Sequence, residues 1–236
     1  MNCIAFDLEN SGLSPKKDYI IEIGAVKIID DRIAESFSTF VSPGVALRKH
    51  ITEITNITDD MLKGAPDEKE ALTAFFDFMS GEKTLLGHGI NYDYRFIKTA
   101  AARHGMLKYV DGLKGIDTLT IARKFIPKDI SKKLCDLCRY MDVDPGHSHR
   151  ALDDTIASYG VYRRLEQKYY GSDPEAFKPK IMQYELGKNE PIMEKQKVQL
   201  MNLFKEKNII NSRDISSMTK SEASRYIDRI KSNQYA

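Results

Sequence analysis

The run Tyr19 to Ile29, YIIEIGAVKII, constrains the fold of this chain more than any other stretch. Its isoleucines and valine are stiff at χ1 and suit a pleated strand, which makes it the strongest strand in the sequence. Asp30-Asp31 is a turn signal, and Ile33 to Val41 alternates well enough to be the hairpin partner. Upstream, Cys3 to Phe6 is a shorter apolar strand. Three early strands in this order give an antiparallel meander. Ser42-Pro43-Gly44 then breaks the pattern. Thr58 reads as the N-cap of a short helix through Met61 and Leu62, and Glu68 to Met79 as a longer amphipathic helix. From Thr84 the chain alternates. Thr84 to Gly87 is a buried strand, Tyr92 to His104 a helix, and a short strand leads to Asp117. Helices follow at Leu119 to Phe125, Leu134 to Met141 and Ala151 to Tyr169. An antiparallel set followed by strand–helix alternation predicts an α/β fold, a mixed sheet covered by helices.

The pattern changes after Gly171. We divide the chain into a domain over 1–171, a linker over 172–190 that carries Pro, Lys and Glu with little periodicity, and a small helical module over 191–236. In the module, Glu194 to Lys207 puts Leu200, Leu203 and Phe204 on one side, and Lys220 to Lys231 does the same with Ala223, Tyr226, Ile227 and Ile230. Thr219 and Glu222 form a capping box. The stretch 172–236 has twelve basic and nine acidic residues, so it is mildly basic. The whole chain of 236 residues carries a net charge of only +2, so any nucleic-acid binding has to rest on local arrangement. No apolar run reaches the ~20 residues of a membrane span, and the first ten residues have no basic-then-apolar signal. Three cysteines in a chain this long fit a reducing compartment. Together these predict a cytoplasmic protein with no membrane partner.

The first strand runs into Asp7-Leu8-Glu9-Asn10-Ser11-Gly12-Leu13. Alternation along a strand points Asp7 and Glu9 the same way. Two carboxylates held together repel unless a cation sits between them, and hard oxygen donors suit Mg²⁺ or Mn²⁺. By itself, Asp-x-Glu reads first as a solvated strand end with two surface acids. More acids follow, however. Asp93 falls in the first turn of a helix, after Leu85-Leu86-Gly87-His88-Gly89-Ile90-Asn91-Tyr92. His147-Ser148-His149-Arg150-Ala151-Leu152-Asp153-Asp154 places a histidine just before a helix and an acid one turn into it. A histidine that titrates near neutrality beside an activated water is a natural general base.

In these three stretches the chain resembles the DEDDh family of 3′→5′ exonucleases, the DnaQ-like type that includes polymerase proofreading subunits. Asp7 and Glu9, followed by Ser11-Gly12-Leu13, match the family's Asp-x-Glu strand end. His88 to Asp93 matches its His-x-x-x-x-Asp, and His149 to Asp154 matches its His-x-Ala-Leu-x-Asp, so Asp153 and His147 do not inherit roles. Ile21-Glu22-Ile23-Gly24-Ala25-Val26 and Ile57 to Met61 with Ala65-Pro66 fit as supporting stretches. The resemblance covers about residues 1–170. Two departures stand out: Asn10 occupies a position where Thr is common, and Gly89 replaces the usual Asn after His88. Neither removes a metal ligand, and both bear on how the terminal nucleotide is held.

The resemblance implies a ribonuclease H-like mixed five-stranded sheet and a two-metal hydrolysis of phosphodiester bonds. Asp7, Glu9, Asp93 and Asp154 would hold two Mg²⁺ or Mn²⁺ ions roughly 4 Å apart. His149 would take the proton from the attacking water. Phe6, Leu8, Gly12 and Leu13 lie where the family packs the last base and sugar, and His88 would contact substrate with Leu8, Gly12 and Leu13. The implied partners are single-stranded or frayed DNA 3′ ends, or RNA, in proofreading or repair, with a replication or repair protein as a partner for the C-terminal module. The alternatives are a 3′→5′ exoribonuclease of the oligoribonuclease type, and a non-catalytic protein that binds nucleic acid or a replication partner. Cys135 and Cys138 form a lone C-x-x-C on a helix and read as small apolar residues, not as a zinc or redox site. Gln199 to Phe204 resembles a sliding-clamp docking peptide, but its apolar residues are better read as the packing face of the module.

Overall fold

The computed structural model describes residues 1–146, 149–186, 191–209 and 215–232. His147 and Ser148 of the third motif, and 187–190 of the expected linker, lie outside them. The chain opens with β1 (Cys3–Asn10), β2 (Ile20–Ile29) and β3 (Arg32–Phe40), followed by α1 (Lys49–Thr55), α2 (Asp59–Leu62) and α3 (Glu68–Met79). It continues through β4 (Thr84–Gly87), α4 (Asn91–Arg103), α5 (Leu107–Val110), β5 (Lys114–Asp117), α6 (Thr118–Phe125), α7 (Leu134–Met141) and α8 (Ala151–Tyr169). Then come β6 (Lys180–Ile181), α9 (Glu194–Glu206) and α10 (Lys220–Lys231).

The strands stand in the order β3-β2-β1-β4-β5-β6. β1, β2 and β3 form the antiparallel meander expected, and Asp30 and Asp31 both take positive φ (49° and 63°), as a tight hairpin turn requires. β4 joins β1 in parallel, with Ile4 opposite Leu85, and β5 joins β4 in parallel. The alternation of β1 divides the core. Ile4, Phe6 and Leu8 pack with α3 and α4, whereas Cys3 and Ala5 pack with α6, α7 and α8. Asp7 and Glu9 continue the second series to the strand end. The cap expectations hold as well: Thr58 accepts from the Met61 N–H, and Thr219 and Glu222 form their capping box.

The sheet has six strands and not the five expected. The sixth, β6, comes from the stretch read as a linker, and it pairs antiparallel with β5 through Lys114↔Ile181 and Gly115↔Lys180. Two residues, both exposed, show no alternation, so only the pairing edge of β5 defines this strand. Around it, Phe177 is buried and stacks on Phe125 at 5.8 Å, and Met182 is buried against Gly115. The described part of 172–190 is therefore packed onto the sheet domain. Sequence periodicity also passed over α1 and α5, short helices without a side-chain N-cap.

The two tail helices share a small core of their own. Leu200 and Leu203 bury against Ala223, Ile227 and Ile230, and Phe204 meets Tyr226 at 5.7 Å. A side chain at Gly105, just past α4, would collide with the Glu194 Cβ at 2.6 Å, so α9 begins against the end of α4.

Candidate active site

The site forms where β1, α4 and α8 end or begin. Glu9 stands opposite Glu22 across the β1–β2 ladder, and Asp7 stands opposite Gly24. Gly24 is glycine for a steric reason: a Cβ there would lie 2.2 Å from the backbone of Ala151 and Leu152. The first turn of α8 therefore sits directly on β2, and Thr155 locks it by donating to the Gly24 carbonyl at 3.0 Å.

This contact brings the third motif onto the first. Ligand atoms of Glu9, His149 and Asp154 all lie within 4.8 Å of one another. The His149 backbone N–H donates to Asp154 Oδ2 at 3.0 Å, and His149 takes a left-handed φ of 64° to do so. A non-glycine residue there is strained, and such strain concentrates at functional sites. Asp93, in the first turn of α4, is buried beside them.

The electrostatics of the cluster are one-sided. Burial pushes the Asp7 carboxyl well above the usual carboxylate range, and Asp93, Glu9, Asp154 and Glu22 push it further. Asp93 is also raised, by burial first and then by Glu9 and Asp117, against the pull of its own and the Leu8 backbone amides. Glu9 rises to about 7 through burial, Asp154 and Glu22, with Arg150 opposing. Asp154 is raised by burial, although the His149 amide and ring hold it down. Four acids whose ionised forms are this strained are poised to bind cations, and their hard oxygens with one imidazole suit Mg²⁺ or Mn²⁺. The donor set fits the metal chemistry expected.

The remaining expected substrate residues are placed unequally. Leu13 is 84% exposed at the loop beside the cluster. Gly12 lies beneath the Arg48–Asp18 ion pair, and any Cβ would displace that pair. Leu8 and Phe6 are buried in the α3/α4 core and offer the cleft little surface. His88 uses both ring nitrogens, 2.8 Å from Thr118 Oγ1 and 2.8 Å from the Lys132 carbonyl, and so ties β4 to the loop before α7.

Three groups near the cleft had no role in the sequence reading. Tyr92, partly exposed, donates to the Gly12 carbonyl at 3.2 Å. Asp117 holds the turn after β4 by accepting from Gly89 N–H at 2.7 Å. Glu22 is paired with Arg150. The one available signal was an acid set among the isoleucines of β2, a charge that must find a buried partner.

The model of the exonuclease family (RNase T type) matches residues 4–162. The chain belongs to the exonuclease family. Its three motifs place it in the DEDDh branch of that family. DNA polymerase III PolC-type of Caldanaerobacter subterraneus subsp. tengcongensis is 36% identical over 165 residues, 70% of this chain and 12% of that one. The Clostridium perfringens PolC-type polymerase is 38% identical over 162 residues, 68% of this chain and 11% of that one. This chain thus aligns with only about an eighth of the length of those curated relatives. Among solved structures, Exonuclease X in complex with 5′ overhanging duplex DNA matches with a TM-score of 0.57 at 23% identity, over 71% of this chain and 92% of that one. E. coli Exonuclease I in complex with a dT13 oligonucleotide matches at 0.64 and 15%, over 72% and 42%. These likenesses show the fold.

Cys138 is buried, and burial raises its thiol to about 11, while Cys135 is half-buried. Among the described residues, no helix is long and apolar enough to cross a membrane.

Proposed function

We propose that this exonuclease removes 5′-mononucleotides from DNA 3′ ends by metal-dependent hydrolysis. The observation that carries this is the convergence of Glu9, His149 and Asp154 within 4.8 Å, backed by the buried, mutually repelling Asp7 and Asp93. Asp7, Glu9, Asp93 and Asp154 would hold two divalent ions, Mg²⁺ or Mn²⁺, whose chemistry there is to neutralise phosphate charge and acidify a water. His149, exposed at the rim, accepts the proton of the attacking water. The new bond is from water oxygen to phosphorus. The bond that breaks joins phosphorus to the 3′ oxygen of the preceding nucleotide, which keeps a 3′-hydroxyl. Exposed Leu13 and Tyr92 offer apolar surface to the terminal base, and stacking of that kind accepts any base.

DNA is favoured over RNA by the PolC-type relatives and by the DNA bound in the matched Exonuclease X and Exonuclease I complexes. A proofreading or repair setting follows from the same relatives, with the tail module as the surface for a replication or repair protein. The intact acid cluster speaks against a purely binding role, which has no need of repelling buried carboxylates.

The test is a time course on 5′-labelled single-stranded DNA and matched RNA, with Mg²⁺, Mn²⁺ or EDTA. A ladder that shortens from the 3′ end only with metal, and a loss of about 10²–10⁴-fold in His149→Ala, is expected. Faster cleavage of RNA would transfer the reading to an exoribonuclease. No cleavage of either would overturn it.

A further inference from the structure

Glu22 is 1% exposed and faces Glu9 directly across the ladder. Like charges in opposite positions of a sheet are destabilising, and a buried carboxylate without a partner is costly. The partner comes from 128 residues away. Arg150 Nη2 donates to Glu22 Oε1 at 2.9 Å, its Nε to the same oxygen at 3.2 Å, and the Ala151 backbone N–H to Oε2 at 3.2 Å. This is the planar fork that arginine makes and lysine cannot. The guanidinium also lies over the Phe40 ring at 5.2 Å. The Arg150 carbonyl in turn accepts from Asp154 N–H at 3.0 Å, and its neighbour His149 is bonded to the Asp154 carboxylate. One residue therefore links β2 to the backbone that carries both functional residues of the third motif, where Arg150 charge already acts on Glu9.

We propose that Glu22 and Arg150 form a positioning clasp: it holds the start of α8 so that His149 and Asp154 face Glu9, and it keeps the Arg150 charge from closing on Glu9 in place of a divalent cation. The proposal rests on the exonuclease reading of the cluster. It assigns Glu22 two separable effects. Without its charge, Arg150 turns to Glu9, on which its charge already acts, and competes with the metal. Without the fork, the turn at His149 loses its anchor and the proton acceptor drifts.

The experiment compares Glu22→Gln, Arg150→Gln and the double variant with the intact chain by Mn²⁺ titration read by electron paramagnetic resonance, by kcat and KM on a DNA oligonucleotide, and by thermal melting. Glu22→Gln is expected to bind Mn²⁺ about tenfold more weakly and to lose about tenfold or more in kcat, with KM for DNA within about twofold. In the double variant the competing cation is gone, so Mn²⁺ binding returns to within about threefold of the intact chain while kcat stays low. Unchanged Mn²⁺ binding and kcat in Glu22→Gln would overturn the clasp. So would a double variant whose losses are the product of the single ones, because the two residues would then act independently. If Glu22→Gln does not fold, Glu22→Asp carries the test, since it keeps the charge and shortens the reach. It should bind Mn²⁺ normally with lowered kcat, and an undiminished kcat would overturn the clasp. The titration needs no turnover, so an intact chain whose Mn²⁺ binding depends on Glu22 and Arg150 in this way yet cleaves nothing would count against the exonuclease reading alone.

Discussion

The two ends of α4 solve the same electrostatic problem in opposite ways. At its C-terminal end Glu68 is buried, but Arg103 Nη1 reaches its oxygens at 2.5 and 2.7 Å and His104 Nε2 at 2.9 Å. Burial alone would push the Glu68 carboxyl up; His104 and Arg103 more than offset it and hold it below the ordinary range. At the N-terminal end Asp93 joins Asp7, Glu9 and Asp154, all raised, and the nearby Arg150 is already committed to Glu22. The first cluster is neutralised within the chain, whereas the second is left for something from solution. Buried acids alone do not mark a site. Buried acids that the fold declines to neutralise do.

The contrast can be broken most decisively at Asp7. Asp7→Asn should lower exonuclease kcat by about 10³-fold or more, because it removes a carboxylate from the centre of the cluster. It should also raise the melting temperature of the metal-free protein by about a few degrees, since one repelling charge is gone. Calorimetry of the metal-free variant that showed a lower melting point would mean that the repulsion is not there.

Glu68→Gln tests the other end. It strands the Arg103 guanidinium in a half-buried place and should cost about 3 kcal/mol in denaturant unfolding. The kcat of the folded fraction should stay within about twofold of the intact chain. A kcat that fell with Glu68 would show that the ends of α4 are coupled and not merely contrasting.

The smallest effect concerns pH. Glu9 is raised to about 7, so its contribution is fully present below its unfolded value of about 4.5 and is lost as pH rises through about 7. Glu68 is lowered, so its contribution is present above its unfolded value and is lost as pH falls. Added Mg²⁺ should therefore raise the melting temperature more at about pH 8 than at about pH 5.5, because protons compete with the ion for Glu9. Equal shifts at both values would remove Glu9 from the ion site.

What the sequence showed was what local rules control. β4, α7, α8 and α10 have the bounds expected of them, because short apolar runs, caps and helical periodicity are properties of neighbouring residues. Alternation along β1 explains why Asp7 and Glu9 point one way while Leu8 is buried on the other side. Leu8 came to the substrate list through resemblance alone, and the core claims its side chain. β6 was illegible because two exposed residues acquire strand geometry only from the free edge of β5. Likewise, Glu22 in β2 gave no hint of which cation would meet it.

The sequence by itself determined the motif residues, the order of the main elements and the family, since three spaced motifs and their periodicities are written along the chain. Only the tertiary structure decided which charges are neutralised. Glu22 meets Arg150 across 128 residues and Glu68 meets Arg103 across 35, while among the described residues Asp7 and Asp93 are buried with no such partner. Desolvation and Coulomb repulsion depend on distances in space, and those exist only once Gly24 lets α8 settle onto the sheet.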